Sequence, residues 1–93
     1  MGIIVTEQPD QRRFEARVDG ELAGQADYQV RGDVLVLTHT QVDPARRGHG
    51  VASAMMTAVF DQVRASGRRV TPLCPFVTWF IEQNPEQTDI VAG

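Results

Sequence analysis

The sequence predicts a mixed α/β and α+β fold, with a three-stranded antiparallel meander continuing into a β-α-β-α unit. Three observations carry this reading. Two stretches alternate apolar and polar residues and meet at an Asp-Gly pair. A continuous apolar run follows them. At Gly50 the apolar period then changes from two to about 3.6 residues.

The first stretch is RRFEARV, with Phe14, Ala16 and Val18 on one side and Glu15, Arg17 and Asp19 on the other. That alternation is the mark of a half-buried strand. Asp19-Gly20 is a two-residue hairpin signal. ELAGQADYQV alternates again through Leu22, Gly24, Ala26, Tyr28 and Val30, and Arg31-Gly32-Asp33 makes the next turn. Gly supplies positive φ in such a turn and Asp bonds its own backbone, so this RGD is a turn and not an adhesion ligand. VLVL at 34–37 is apolar throughout, which predicts a central strand covered on both faces. Polar residues take over at THTQVDP, and Pro44 cannot continue a ladder.

From Gly50 to Ser66 the pattern is helical. Val51, Met55, Ala58, Val59 and Val63 recur at three- and four-residue spacing and make one apolar stripe, and Met55-Met56 reads as core filler. Gly67 ends the helix. RRVTPL, at 68–73, returns to strand. Cys74-Pro75-Phe76 opens a second, shorter helix with Pro75 at its first position. NPEQTDIVAG reads as a tail. A crossover between parallel strands 34–42 and 69–74 would be right-handed.

The chain has 93 residues and a net charge of −3. That length predicts one domain, residues 1–93, with one modest core. No run approaches the roughly 20 apolar residues of a membrane span, so no membrane association is expected. The acidic start MGIIVTEQPD does not read as a signal peptide. The single cysteine suits a reducing interior and predicts a cytoplasmic protein. Negative charge without aromatic–basic interleaving argues against nucleic acid. All nine basic side chains other than histidine are Arg, which excludes a Schiff-base lysine. Two His and one Cys show no ligand spacing, so no metal is expected.

The chemistry concentrates in DPARRGHGVASAMM. A helix N-terminus leaves about four backbone N–H groups unpaired and carries roughly half a positive charge. Glycines at 48 and 50 let the backbone approach a ligand, and Arg46 and Arg47 can fork onto phosphate oxygens. These are the parts of a pyrophosphate cradle. They are equally the parts of an ordinary turn with a solvated arginine pair. The loop is neither a P-loop nor a dinucleotide fingerprint, because G-x-G-x-x-G fails after the second glycine.

Arg47-x-x-Gly50-x-Ala52 resembles the [Q/R]-x-x-G-x-[G/A] loop of the Gcn5-related N-acetyltransferases, which joins a central strand to a helix. LVLTHTQVDPARRGHGVASAMM and VTPLCPFVTWFIEQNPE together resemble the small, single-domain YjdJ-type subgroup. The likeness covers roughly residues 14–90. It implies a truncated acyl-coenzyme A N-acyltransferase fold, with acetyl-coenzyme A lying between two splayed strands, here 34–42 and 69–74. Backbone groups of Arg47, Gly48, His49, Gly50, Val51 and Ala52 would hold the pyrophosphate, beside Arg46 and Ser53. Gln41 and Val42 would pair with the pantetheine arm, and Thr40 and Phe76 would complete the cofactor site. The acetyl carbonyl would lie near His39–Gln41, where a backbone N–H stabilises developing negative charge.

The chain also departs from the family. The helices that wall the acceptor site between the first two strands are replaced by a two-residue turn. Phe80, with Trp79 beside it, stands where many members have an acidic Tyr. Asn84 stands where the subgroup has a His, ahead of Pro85 and Glu86. His39 and Cys74 are the candidate catalytic residues. His39 suits a general base, or is a histidine bonded to backbone or solvent. Cys74, at a helix start, could accept the acetyl group, protonate the leaving thiolate, or simply be a small buried residue. His49 is expected to be exposed and to add positive charge. Two function classes follow: an N-acetyltransferase acting on a small or peptidyl amine by direct attack on the thioester, or a non-catalytic acyl-coenzyme A-binding sensor or interaction module. A monomer or weak homodimer is expected.

Overall fold

The structure is a computed structural model that describes residues 2–48 and 50–92. Five strands form one sheet in sequence order: β1 (Ile3–Gln8), β2 (Arg13–Val18), β3 (Glu21–Arg31), β4 (Val34–Val42) and β5 (Arg69–Pro72). Helix α1 (Val51–Ala65) connects β4 to β5, and α2 (Pro75–Gln83) follows β5. Strands β1 to β4 pair antiparallel, and β4–β5 is parallel.

The expected meander is present as β2–β3–β4, and it has one strand more. β1 pairs with β2 from Ile3↔Val18 to Gln8↔Arg13. Residues IIVTEQ alternate weakly, and strand pairing rather than local pattern selects their extended form. The family-type wall is absent, as expected, but the connection that lacks it is β1–β2, a single 3-10 turn at Pro9–Gln11. The two-residue turn lies between β2 and β3. There Asp19 and Gly20 both have positive φ, 52° and 81°, the mirror-image turn that matches strand twist.

Two bulges shape the sheet. β3 carries an extra residue, Ala23, between its pairings with Ala16 and Arg17. β4 carries one at Thr38, because Tyr28 pairs with Leu37 while Asp27 pairs with His39. Such insertions bend a strand and sharpen its twist.

The core lies between one sheet face and the helices. Phe14, Ala16, Ala26, Tyr28, Leu35 and Leu37 meet Met55, Met56, Val59, Phe60 and Val63 of α1. Four of the five stripe positions are buried; Ala58 is half-buried, and Met56 and Phe60 widen the face instead. The helix ends in a Schellman motif. The Arg68 N–H donates to the Val63 carbonyl and the Gly67 N–H to that of Arg64, each at 3.1 Å, with Gly67 at φ 75°.

The tail is folded against the body. Pro85–Ile90 forms a 3-10 helix, Ile90 is buried, and the Ala92 N–H donates to the Val70 carbonyl at 2.7 Å. Arg64 on α1 holds this segment through both oxygens of Asp89, each at 2.8 Å, and through Gln87 Oε1 at 2.7 Å. A tail read from composition alone misses this anchoring, because the partner is an arginine far away in sequence. Among the described residues no helix is long and apolar enough to cross a membrane.

Candidate functional site

The site begins where two parallel strands separate. β4 pairs with β5 from Val34↔Arg69 to Leu37↔Pro72. The Leu37 carbonyl then accepts from both Leu73 and Cys74 N–H, at 3.0 and 3.1 Å. Beyond that point β5 turns into α2, while β4 runs on to Val42. The edge of β4 over 38–42 therefore lacks a strand partner on that side. The Thr38 bulge sits at the fork, and the Thr38 hydroxyl donates to the Asp27 carbonyl at 3.3 Å.

The opening is a cleft of about 510 Å³ lined by His39, Thr40, Gln41, Val42, Arg47, Ala52 and Phe76. A second hollow of about 140 Å³ adjoins it, lined by Val42, Arg46, Arg47, Gly48, Gly50, Val51, Ala52 and Ser53. The two share Val42, Arg47 and Ala52, so they form one groove. Every cofactor-site residue expected from the sequence lines it, except His49, which lies outside the described residues.

At the loop end, Asp43 receives the Ala45 N–H at 3.1 Å and opens a 3-10 turn over Pro44–Arg46. Gly48 and Gly50 both lie in the left-handed region, at φ 82° and 75°. Gly50 is the N-cap of α1, and among the described residues no side chain caps the helix there. The first-turn N–H groups are thus left to solvent or a ligand.

The two arginines divide their roles. Arg46 is bound to Asp43 at 2.6 Å and Glu21 at 2.9 Å, contacts that raise its pKa further, with the Glu21 hydrogen bond the largest cause. Its guanidinium braces the loop against β3. Arg47 is exposed and makes no ion pair among the described residues. Of the expected arginine fork, Arg47 is the free half.

At the other end sits Cys74, 6% exposed, as the N-cap of α2. Its Sγ lies 3.4 Å from Thr40 Oγ1. Burial pushes the thiol pKa up. The Thr40 hydroxyl and the nearby backbone N–H groups of Val77, Phe76 and Thr40 favour the thiolate more than burial disfavours it and bring the pKa below the ordinary value; in the neutral form the thiol donates to Thr40 Oγ1.

His39 is exposed and on the other face of β4. Consecutive strand residues point to opposite faces, so Thr40 turns toward the helices and Cys74 while His39 turns away. The structure does not bring the two candidate catalytic side chains together. Phe80 is 1% exposed and packs edge-on against Phe60 at 5.3 Å, within the core. Trp79 is exposed and tilted against Phe76 at 5.6 Å. The Asn84 amide donates to the Phe80 carbonyl at 2.9 Å and closes the end of α2.

Sequence reading missed the Thr38 bulge and the outward row it creates. Gly24 gave a usable signal, because glycine inside a strand marks a close backbone approach. A Cβ there would meet the Gln41 carbonyl oxygen at 2.9 Å. Among the described residues no group of three or more His, Cys, Asp or Glu is placed to hold a metal ion.

The described residues thus form a mixed five-stranded sheet that forks beside a glycine-rich helix start. Residues 13–90 match the family model described as GCN5-related N-acetyl-transferase, and the chain belongs to that family. An uncharacterized N-acetyltransferase from the hisH-hisA intergenic region of Azospirillum brasilense is 34% identical over 77% of this chain and 46% of its own length. The chain thus spans about half of that relative. In fold it is similar to a Staphylococcus aureus protein described as GCN5-like, with a TM-score of 0.72 at 18% identity, covering 97% of this chain and 88% of that one. It is also similar to N-acetylglutamate synthase from Neisseria gonorrhoeae, solved with coenzyme A and N-acetyl-glutamate. There the TM-score is 0.62 at 17% identity, over 94% of this chain and 26% of that one.

Proposed function

We propose that this chain binds acetyl-coenzyme A along the groove and transfers its acetyl group to an amine by direct attack on the thioester. The observation that supports this most is continuity. One groove joins a helix start without a side-chain cap and an exposed Arg47 to an unpaired strand edge and then to Thr40 beside Cys74.

The residues fit such a molecule. The first-turn N–H groups of α1 and the Arg47 guanidinium suit a pyrophosphate. The free edge of residues 38–42 can pair with an extended amide-bearing arm, as an added strand does. A backbone N–H on the free edge of 38–42 suits a carbonyl oxygen on which negative charge develops. Bound acetyl-coenzyme A supplies an activated acyl group. His39 Nδ1 or Nε2 takes one proton from the incoming amine at the open face of β4; the C–N bond forms as the C–S bond breaks, and coenzyme A leaves as a thiolate that takes up the second amine proton. Positioning does most of the remaining work.

Phe80 favours a second reading, a module that binds acyl-coenzyme A without turnover. A phenyl ring has no proton to give, and this one is sealed in the core. One experiment tests both readings. Calorimetry with acetyl-coenzyme A is followed by an amine screen with thiol detection. Absence of binding at millimolar ligand overturns both readings. Binding without thiol release from any amine leaves the module. Arg47→Ala is the cleaner control for the loop. Val at Gly50 would be strained at φ 75° whatever the ligand does.

A further inference from the structure

We infer that Asp27 is the acceptor-recognition residue, and that the acceptor is an aliphatic amine arriving as an ammonium ion on the uncovered face of the sheet. The inference rests on the acetyl-transfer reading above and adds to it the side of approach and the charge of the acceptor. Core side chains occupy the helix-facing side of the sheet, including Phe14, Ala26 and Leu37. The alternate residues face the other way. On that side the register sets His39 directly across from Asp27, and Asp27 directly across from Arg13. Directly paired side chains have Cβ atoms about 5 Å apart, which leaves room for one ammonium group between carboxylate and imidazole.

The charges on this face leave Asp27 free. Arg13 is held by Glu15 at 2.6 Å, and Arg17 bonds the same carboxylate at 3.1 Å. Glu15 is buried between them, and its pKa lies below the usual range, chiefly through the Arg13 hydrogen bond. Asp27 makes no ion pair among the described residues. Its Oδ1 receives only the Gln25 amide, at 3.2 Å. A half-buried carboxylate without an ion pair among the described residues, set across from a histidine that lines the cleft, attracts a cation. His39 then removes the proton that must leave before the amine attacks. An arylamine, neutral at the same pH, gains nothing from Asp27.

The test is an amide NMR titration of the ligand-free protein with n-butylammonium chloride, against sodium chloride at equal ionic strength. Saturable shifts at Gln25, Asp27 and His39 are expected. They should vanish in Asp27→Asn, return in part in Asp27→Glu and persist in Asp33→Asn, whose carboxylate lies in the distant β3–β4 turn. With acetyl-coenzyme A and n-butylamine, Asp27→Asn should raise KM about fivefold, the upper range for a partly exposed ion pair. kcat, acetyl-coenzyme A affinity and the KM for aniline should not change. Shifts that are absent, or equal in Asp27→Asn, overturn the inference while leaving acetyl-coenzyme A binding to stand or fall by calorimetry. An equal loss for n-butylamine and aniline also overturns it, since charge recognition would then play no part.

Discussion

Tyr28 offers an unusually clean test of the packing that joins β1 to the rest of the sheet. Its ring is buried against Phe14, with ring centroids 5.5 Å apart, and its hydroxyl donates to Glu7 on β1. Arg68, just after α1, grips both oxygens of Glu7 at 2.8 and 2.9 Å. Burial and then the Glu7 hydrogen bond push the Tyr28 pKa up to about 12. The folded value lies above the unfolded one, so the associated stability is complete below pH 10 and is lost as pH rises toward 12. At about pH 11 the loss should be about 1.4 kcal/mol, and above both values about 2.7 kcal/mol. The chain has one Tyr and no Lys, so no other side chain of ordinary pKa titrates in that window. Urea unfolding followed by far-ultraviolet circular dichroism, in steps across this range, reads the slope directly. Tyr28→Phe should flatten it and cost about 1 kcal/mol at neutral pH, the worth of one hydrogen bond. An unchanged slope in Tyr28→Phe, or tyrosinate absorbance rising at an ordinary pKa in the folded protein, would refute the reasoning.

Four further outcomes are expected. Lowering the pH should destabilise the fold from about 4.5 downward, because Glu7 and Glu15 are both held below that value by arginine hydrogen bonds; acid titration of Arg68→Gln should show a shallower loss. Gly24→Ala should cost about 1–3 kcal/mol in thermal melts, because the Gln41 carbonyl cannot yield 2.9 Å to a Cβ without moving β4. Arg47→Ala should weaken acetyl-coenzyme A binding about tenfold with an unchanged melting temperature, whereas Arg46→Ala should lower the melting temperature. His39→Ala should lower kcat about 10²-fold, while Cys74→Ala keeps acetyl-coenzyme A binding; an acetyl adduct on Cys74 in intact-protein mass spectra, competent to pass to an amine, would replace direct transfer by a covalent route.

The legible parts of the fold were those with local causes. Alternation gave β2 and β3, the Asp19-Gly20 turn gave their hairpin, and Gly67 and Pro75 marked a helix end and a helix start. The groove residues were legible because a glycine-rich helix start and an apolar-to-polar strand are both chemical patterns. β1 and the tail were not, since each is held by distant partners: Arg68 for Glu7, and Arg64 for Asp89. The ion pair of Arg46 with Glu21 is illegible for the same reason, because Glu21 lies 25 positions away in sequence. Nothing in a run of adjacent residues announces which arginine a remote carboxylate will occupy.

The Thr38 bulge shows how far one such silent feature reaches. Read straight through, LVLTHTQV would send Leu35, Leu37, His39 and Gln41 to one face, because strand side chains alternate strictly. A one-residue insertion reverses the faces of everything beyond it. With Thr38 as the extra residue, Leu35 and Leu37 stay in the core while Thr40 and Val42 take the helix side. Thr40 thereby reaches the Cys74 sulfur, and Val42 comes within the neighbourhood of Gly24 and Met55. His39 goes outward, opposite Asp27. Without the bulge the histidine would point at the core and the threonine at solvent. Thr40 would lose its contact with Cys74, and the open face its histidine. The bulge also falls at the last residue pair of β4 and β5, where a sharper twist helps the strands part. One inserted residue thus sets where the fork falls, which residue meets Cys74 inside it and which way His39 faces outside it.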